Sequence, residues 1–122
     1  MAKTERQKAI ASADKKWADR VKDRARYQCE YCKKSHEYTT LHAHHIFSRK
    51  HLGTRWLTDN GICLCAHCHL YLAHRDTATF MLWVQRKLGK GKIEILEIKA
   101  HAITKLSTAE IKLLARHFGE VK

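Results

Sequence analysis

Cys29 and Cys32, and again Cys65 and Cys68, are each separated by two residues, the gap that lets a tight knuckle aim both sulfurs at one point. Two such knuckles complete a tetrahedral four-thiolate site for a structural zinc ion, and burial alone gives no reason for the spacing to repeat. Lys33 and Lys34 beside the first knuckle offset the negative charge of four thiolates on one zinc. The leftover Cys63 is read as a small buried hydrophobe; using it in place of Cys65 would lose the two-residue geometry. A simple zinc ribbon holds about 15 to 20 residues between its pairs. Here residues 33–64 intervene, and they hold HAHHIF at 42–47, an Arg-rich loop and Asn60, with His69 directly after the last cysteine of the frame.

The net charge of +12 and pI near 9.7 point to a polyanion as partner, because each phosphate neutralised releases condensed counterions. Nucleic acid, DNA foremost, leads. Hydrolysing its phosphodiester needs a nucleophile made from water, a cation on the phosphate oxygens and help for the leaving oxygen. Histidine titrates in the right range to take the proton. Successive strand side chains point to opposite faces, so one of His44 and His45 can face a metal and the other the attacking water. His69, held next to a zinc-bound cysteine, offers a second ligand; two protein ligands leave positions open for water and phosphate, as a catalytic site requires. The Asn60 amide can bridge backbone groups of the loop after HAHHIF and steady the base, although Asn before Gly also reads as a plain turn. His74 lies five residues past His69, about 140° round an ideal α-helix, and stays a lesser candidate. Arg49, Arg55 and Lys50 are the candidate DNA contacts, a guanidinium gripping phosphate bidentately. Trp56 can stack on a base or cover the core, and the core is the favoured reading. His36, His42, His51 and His67 are placed around the site or on the surface, and His101 and His117 outside it.

The positioning elements give an α+β fold in one domain, 1–122. Residues 1–26 form a basic amphipathic helix with Ile10, Ala13, Trp17, Val21 and Ala25 at helical spacing, which adds sequence-independent grip on the DNA backbone. Residues 27–75 form the zinc-framed core: a knuckle leading into a strand through HAHHIF, a second strand at GICLC, and a helix from near Cys68. Residues 76–122 are expected to run helix, strand, helix. TATFMLWVQRKL is the first helix, GKGK a turn, IEILEI a half-buried strand, and Ser107 with Glu110 a capping box for the last helix. No apolar run approaches the ~18 residues of a membrane span and the first ten residues lack the apolar core of a secretion signal. The expected location is therefore cytoplasmic, in a bacterial cell or a phage-infected host, where thiols stay reduced.

HAHHIF at 42–47, DN at 59–60 and LCAHCHLYLAH at 64–74, framed by CEYC at 29–32, together resemble the HNH endonucleases. The resemblance implies a ββα-metal core, a two-stranded hairpin packed on a helix around one catalytic ion. It assigns His44 as first metal ligand, His45 as general base, Asn60 as the middle residue and His69 as the helix-borne ligand. The stretch SRKHLGTRW followed by N…LC..CH is also similar to phage recombination nucleases of the NinG type. The catalytic cation is open among Mg²⁺, Mn²⁺, Ni²⁺ and Zn²⁺, since imidazoles suit the last three and magnesium can bind through waters and the phosphate. The contrasting reading, a zinc-knuckle nucleic-acid-binding protein without activity, has no need of the set His44, His45, Asn60 and His69.

Overall fold

The computed structural model describes residues 2–35 and 40–120; His36 lies outside them. Helix α1 spans Glu5–Arg24, opened by a capping box in which Thr4 and Gln7 satisfy each other's backbone N–H groups. Strands β1 (Leu41–His45) and β2 (Gly61–Cys65) pair antiparallel, with His44 opposite Ile62 and His45 opposite Gly61. Between them lie the single turn α2 (Leu52–Arg55) and a 3₁₀ turn, Thr58–Asn60. After β2 the chain enters α3 (Ala66–Cys68) and widens into a π-helical stretch, His69–His74. Helices α4 (Thr77–Leu88), α5 (Lys90–His101) and α6 (Thr108–Glu120) complete the described chain. The result is a helix-rich α+β fold around a two-stranded sheet, and no helix among the described residues is long and apolar enough to cross a membrane.

The core forms where α1 lies on the hairpin. Ala9, Ala13, Trp17 and Val21 recur at intervals of four and are buried together with Ile62, Leu64, Phe80, Val84 and Ile111. Arg24, at the end of α1, donates to the carbonyls of Thr58 at 2.7 Å and Gly61 at 2.6 Å and pairs with Glu30 at 3.3 Å. Helix α6 covers the other side of α1, its Ser107–Glu110 capping box formed as expected.

The strand expected at IEILEI is instead the middle of α5. Ile93, Leu96 and Ala100 make an inward stripe at helical spacing, a pattern that six alternating residues cannot distinguish from a strand. The cost of the helical choice is visible: Ile95 and Ile98 remain 53 % and 71 % exposed. Of the expected GKGK turn only Gly89 breaks the helices, at φ +87°, and α5 begins at the next residue.

Gly61 is required by contact rather than by a turn. Its backbone is extended, and a Cβ there would come within 2.7 Å of Trp17 Cζ2 and closer still to Val21 Cγ2. Gly61→Ala should therefore destabilise the fold by roughly 1–3 kcal/mol, the usual cost of overpacking. Chemical denaturation measures this; an unchanged midpoint would show that α1 does not sit tightly on β2.

Candidate functional site

The first knuckle closes because Lys33 takes a left-handed conformation, φ +63°, so that its N–H reaches the Cys29 carbonyl at 2.9 Å while Cys29 N–H reaches Lys34 at 3.1 Å. The second forms where β2 ends: Cys65 caps α3, its sulfur accepting the Cys68 N–H at 3.4 Å. The sulfurs of Cys29, Cys32, Cys65 and Cys68 lie within 4.8 Å of one another, with Cys32 and Cys65 at 4.0 Å. Tetrahedral zinc at its usual bond length to sulfur sets such separations at about 3.8 Å. Burial pushes the Cys68 and Cys32 thiols up, neighbouring sulfurs adding to the effect. At Cys29 burial is outweighed by backbone N–H donors from Cys32, Cys65 and Tyr31. A buried thiol set of this kind ionises when a cation shares it, so the residues fit a structural zinc ion. Cys63 stays out of the cluster, fully buried, its thiol pushed up to about 11 by burial and by Glu30. Its backbone instead joins the knuckle to the sheet: Cys63 N–H donates to Glu30 Oε2 at 2.6 Å, and Glu30 N–H to the Cys63 carbonyl at 2.8 Å.

A second cluster sits across β1. His44, His69 and His74 each bring a ring nitrogen within 4.8 Å of the others, and His69 Nε2 and His74 Nε2 are 3.1 Å apart. His74 therefore stands with the other two, against the expectation from an ideal α-helix. The reason is the π-helical stretch: widening the turn to i→i+5 brings the residue five positions on to the same face. Imidazoles on one tetrahedral ion of zinc's size have nitrogens about 3.3 Å apart, which this cluster approaches. Phe80 walls the site edge-on to His44 at 5.1 Å, and His42, two residues back on the same strand face, stacks on His69 at 4.9 Å. His44 is pushed down to about 4 by burial, then by the charges His69, His74 and His45 would carry. His69 is lowered by burial and by His74 and His42. Both are neutral near pH 7, the form that ligates a metal.

His45 points the other way. Its ring stacks on Trp17 with centroids 3.8 Å apart and planes 10° from parallel, and its Nε2 lies 3.0 Å from the Arg55 carbonyl. A carbonyl only accepts, so Nε2 carries the proton and Nδ1 keeps a lone pair. Burial lowers its pKa; the Arg55 carbonyl and Asp14 push back, and Arg49 and Arg55 add to the lowering. Although they face opposite sides of the strand, His44 and His45 both line one cleft of about 420 Å³, together with His69, His74, Ser48 and Arg49.

Asn60 is fully buried and clamps the loop from inside: its Nδ2 donates to the Phe47 carbonyl at 3.0 Å and its Oδ1 accepts Phe47 N–H at 2.8 Å. Its own carbonyl takes Ile46 N–H at 2.9 Å. The group touching His45 is the Arg55 carbonyl, which sequence spacing could not single out. The Arg55 side chain, expected at a DNA phosphate, has partners within the protein. It grips Asp14 with two bonds, at 3.0 and 2.7 Å, and holds the Arg49 carbonyl at 3.2 Å. Trp56, buried in the core, donates to the same Asp14 at 2.8 Å. Arg49 is exposed, lines the cleft and has no carboxylate partner among the described residues. Lys50 is exposed but borders a different groove, beside α5. His67 is exposed against Tyr71, His51 is half-buried beside His101, and His117 is exposed on α6. Sequence reasoning missed Trp17 and Asp14 as supports of His45, because both come from α1, whose pattern signals only an amphipathic helix.

The model of the HNH endonuclease family matches residues 29–75, which contain both clusters. No curated protein and no solved structure matches the chain.

The purified protein should carry about one tightly held zinc per chain, and Cys65→Ser should lose it and unfold rather than merely slow. Metal analysis with circular dichroism decides. A well-folded Cys65→Ser protein retaining its zinc would remove the frame.

Proposed function

We propose that this chain is a metal-dependent endonuclease that hydrolyses DNA phosphodiester bonds. The observation that carries the reading is the placement of three imidazole ligands and a separate histidine with a free Nδ1 on one open cleft. His44, His69 and His74 would hold the divalent ion. Bound there, the ion supplies positive charge for phosphate oxygens as they gain negative charge. His45 acts as general base, its Nδ1 taking a proton from water while the Arg55 carbonyl and the Trp17 ring fix the tautomer and the plane. Asn60 keeps the loop, and through it Arg49, at the mouth of the cleft. Arg49 grips a phosphate, and the net charge of +12 draws the polyanion in. The match to the HNH endonuclease family supports the same class of reaction. The likeness of SRKHLGTRW to phage recombination nucleases makes nicked and branched DNA worth assaying beside duplex.

His45→Ala should keep zinc, fold and DNA affinity yet lose roughly two to four orders of magnitude in cleavage, the usual worth of general base catalysis. His44→Ala and His74→Ala should instead weaken binding of the catalytic ion, with part of the activity returning at high metal concentration. Nuclease assays with metal titration on plasmid, nicked and branched DNA separate the two patterns. Undiminished cleavage by His45→Ala, host nuclease excluded, would sink the assignment.

The base works unprotonated, so wild-type rate should be lost as pH falls through its pKa. Because burial lowers that pKa, the midpoint should lie below the ordinary histidine value of 6.5. A pH–rate profile checks this; a midpoint above 6.5, or the same limb in His45→Ala, would contradict it.

A further inference from the structure

The loop after β1 serves two depressions. Ser48 and Arg49 line the histidine cleft, whereas the next residues, Lys50 and His51, line a groove of about 410 Å³ closed on its far side by the C-terminal end of α5. We propose that this groove takes the stretch of nucleic-acid strand next to the scissile phosphate, with Lys50 on a phosphate and the rings of His51 and His101 against sugar and base. The proposal rests on the nuclease reading for the direction of the strand, and it joins a loop inside the family match, Lys50 to Leu52, to a wall outside it, Ala100 to Thr104.

The chemistry of the walls favours this occupant. Lys50 and His101 are exposed, and no carboxylate lines the groove among the described residues. The two imidazoles meet nearly edge to face, 5.3 Å between centroids, and Phe47 backs both at 6.4 and 6.3 Å. Ile103 stands at the rim almost wholly exposed, an apolar side chain in a basic setting. Rings and a methyl-bearing side chain accept any base, while the cation follows the backbone. The helix end also sorts the partners: its carbonyls disfavour phosphate, so the phosphate belongs at Lys50 and the uncharged sugar and base at α5.

Geometry makes the two depressions a single track. Arg49 and Lys50 are adjacent, and one lines each depression, so two long cationic side chains from one loop can meet successive phosphates of a strand that crosses it. The track is also rigid before any strand arrives. The His51 carbonyl accepts the N–H groups of Thr54 and Arg55 at 3.2 and 3.0 Å, and Asn60 pins Phe47. Gly53 lets α2 lie directly on α5, since a Cβ there would run into the Lys99 carbonyl oxygen.

The test compares Lys50→Ala/His101→Ala with a charge-matched control, Lys90→Ala, at the opposite end of α5. Binding to a labelled duplex with a single-stranded overhang is followed by fluorescence anisotropy from ~50 to ~200 mM salt without added divalent ion. Zinc content and thermal melts verify the fold, which two exposed substitutions should leave intact. The groove variant should bind about five- to tenfold more weakly and lose about one unit from the salt slope, as expected for one phosphate contact and one stacked base. The control should stay within about twofold of wild type. Weakened binding by the groove variant stands as support even if the wild type fails to cleave DNA, which would defeat the nuclease reading alone. Affinity and slope equal to wild type, in a protein that cleaves, would overturn the groove and leave the nuclease reading standing. A wild type that binds no DNA would overturn both.

Discussion

Gly61 leaves no spacer between α1 and the sheet: the helix lies directly on the backbone of β2, with Trp17 and Val21 occupying the space a side chain would need. That contact sets what α1 can reach. From this seat Trp17 stacks on His45, Asp14 binds Arg55 and Trp56, and Arg24 ties the 3₁₀ turn, β2 and the first knuckle together through Thr58, Gly61 and Glu30. The Asp14–Arg55 pair places the Arg55 carbonyl on His45 by fixing the residue that carries it. A helix outside the segment matched to the HNH family thus orients the histidine inside it.

Burial acts on the two clusters in the same direction with opposite consequences. It disfavours charge, so it raises thiols and lowers imidazoles. For His44 and His69 the favoured neutral state is already the ligating one. For Cys32 and Cys68 it is not, and a cation must supply what the surroundings withhold. The sulfur cluster is accordingly suited to an ion that folds with the chain and stays, the histidine cluster to one that enters a formed, open cleft.

How far the sequence revealed this follows from which features are local. Paired cysteines at a two-residue gap, the short strands around His44 and Ile62, and the Ser107–Glu110 cap are written in neighbouring residues, and they are where the spacing puts them. His74 was obscured because its place depends on a π-helical turn, while helical-wheel reasoning assumes an ideal α-helix. The pairing of Arg55 with Asp14 was illegible because a guanidinium in a basic loop looks free until a carboxylate on another element is brought to it. IEILEI fits both periods over six residues, and only the packing of Leu96 and Ala100 decides between them. Gly61 is read as the start of the strand GICLC or as a turn after Asn60, and neither reading contains the reason for the glycine, the helix lying on it, which is a contact made at long range.

The π-helical turn brings His44, His69 and His74 close enough to hold one ion, apart from the four thiolates. X-ray absorption at the nickel edge, on protein that has kept its zinc and been given nickel, tests it most directly. Three imidazole nitrogens and no sulfur around nickel, with the third imidazole lost in His74→Ala, is the predicted result. Sulfur in the nickel shell, or the same imidazole count with and without His74, would contradict it.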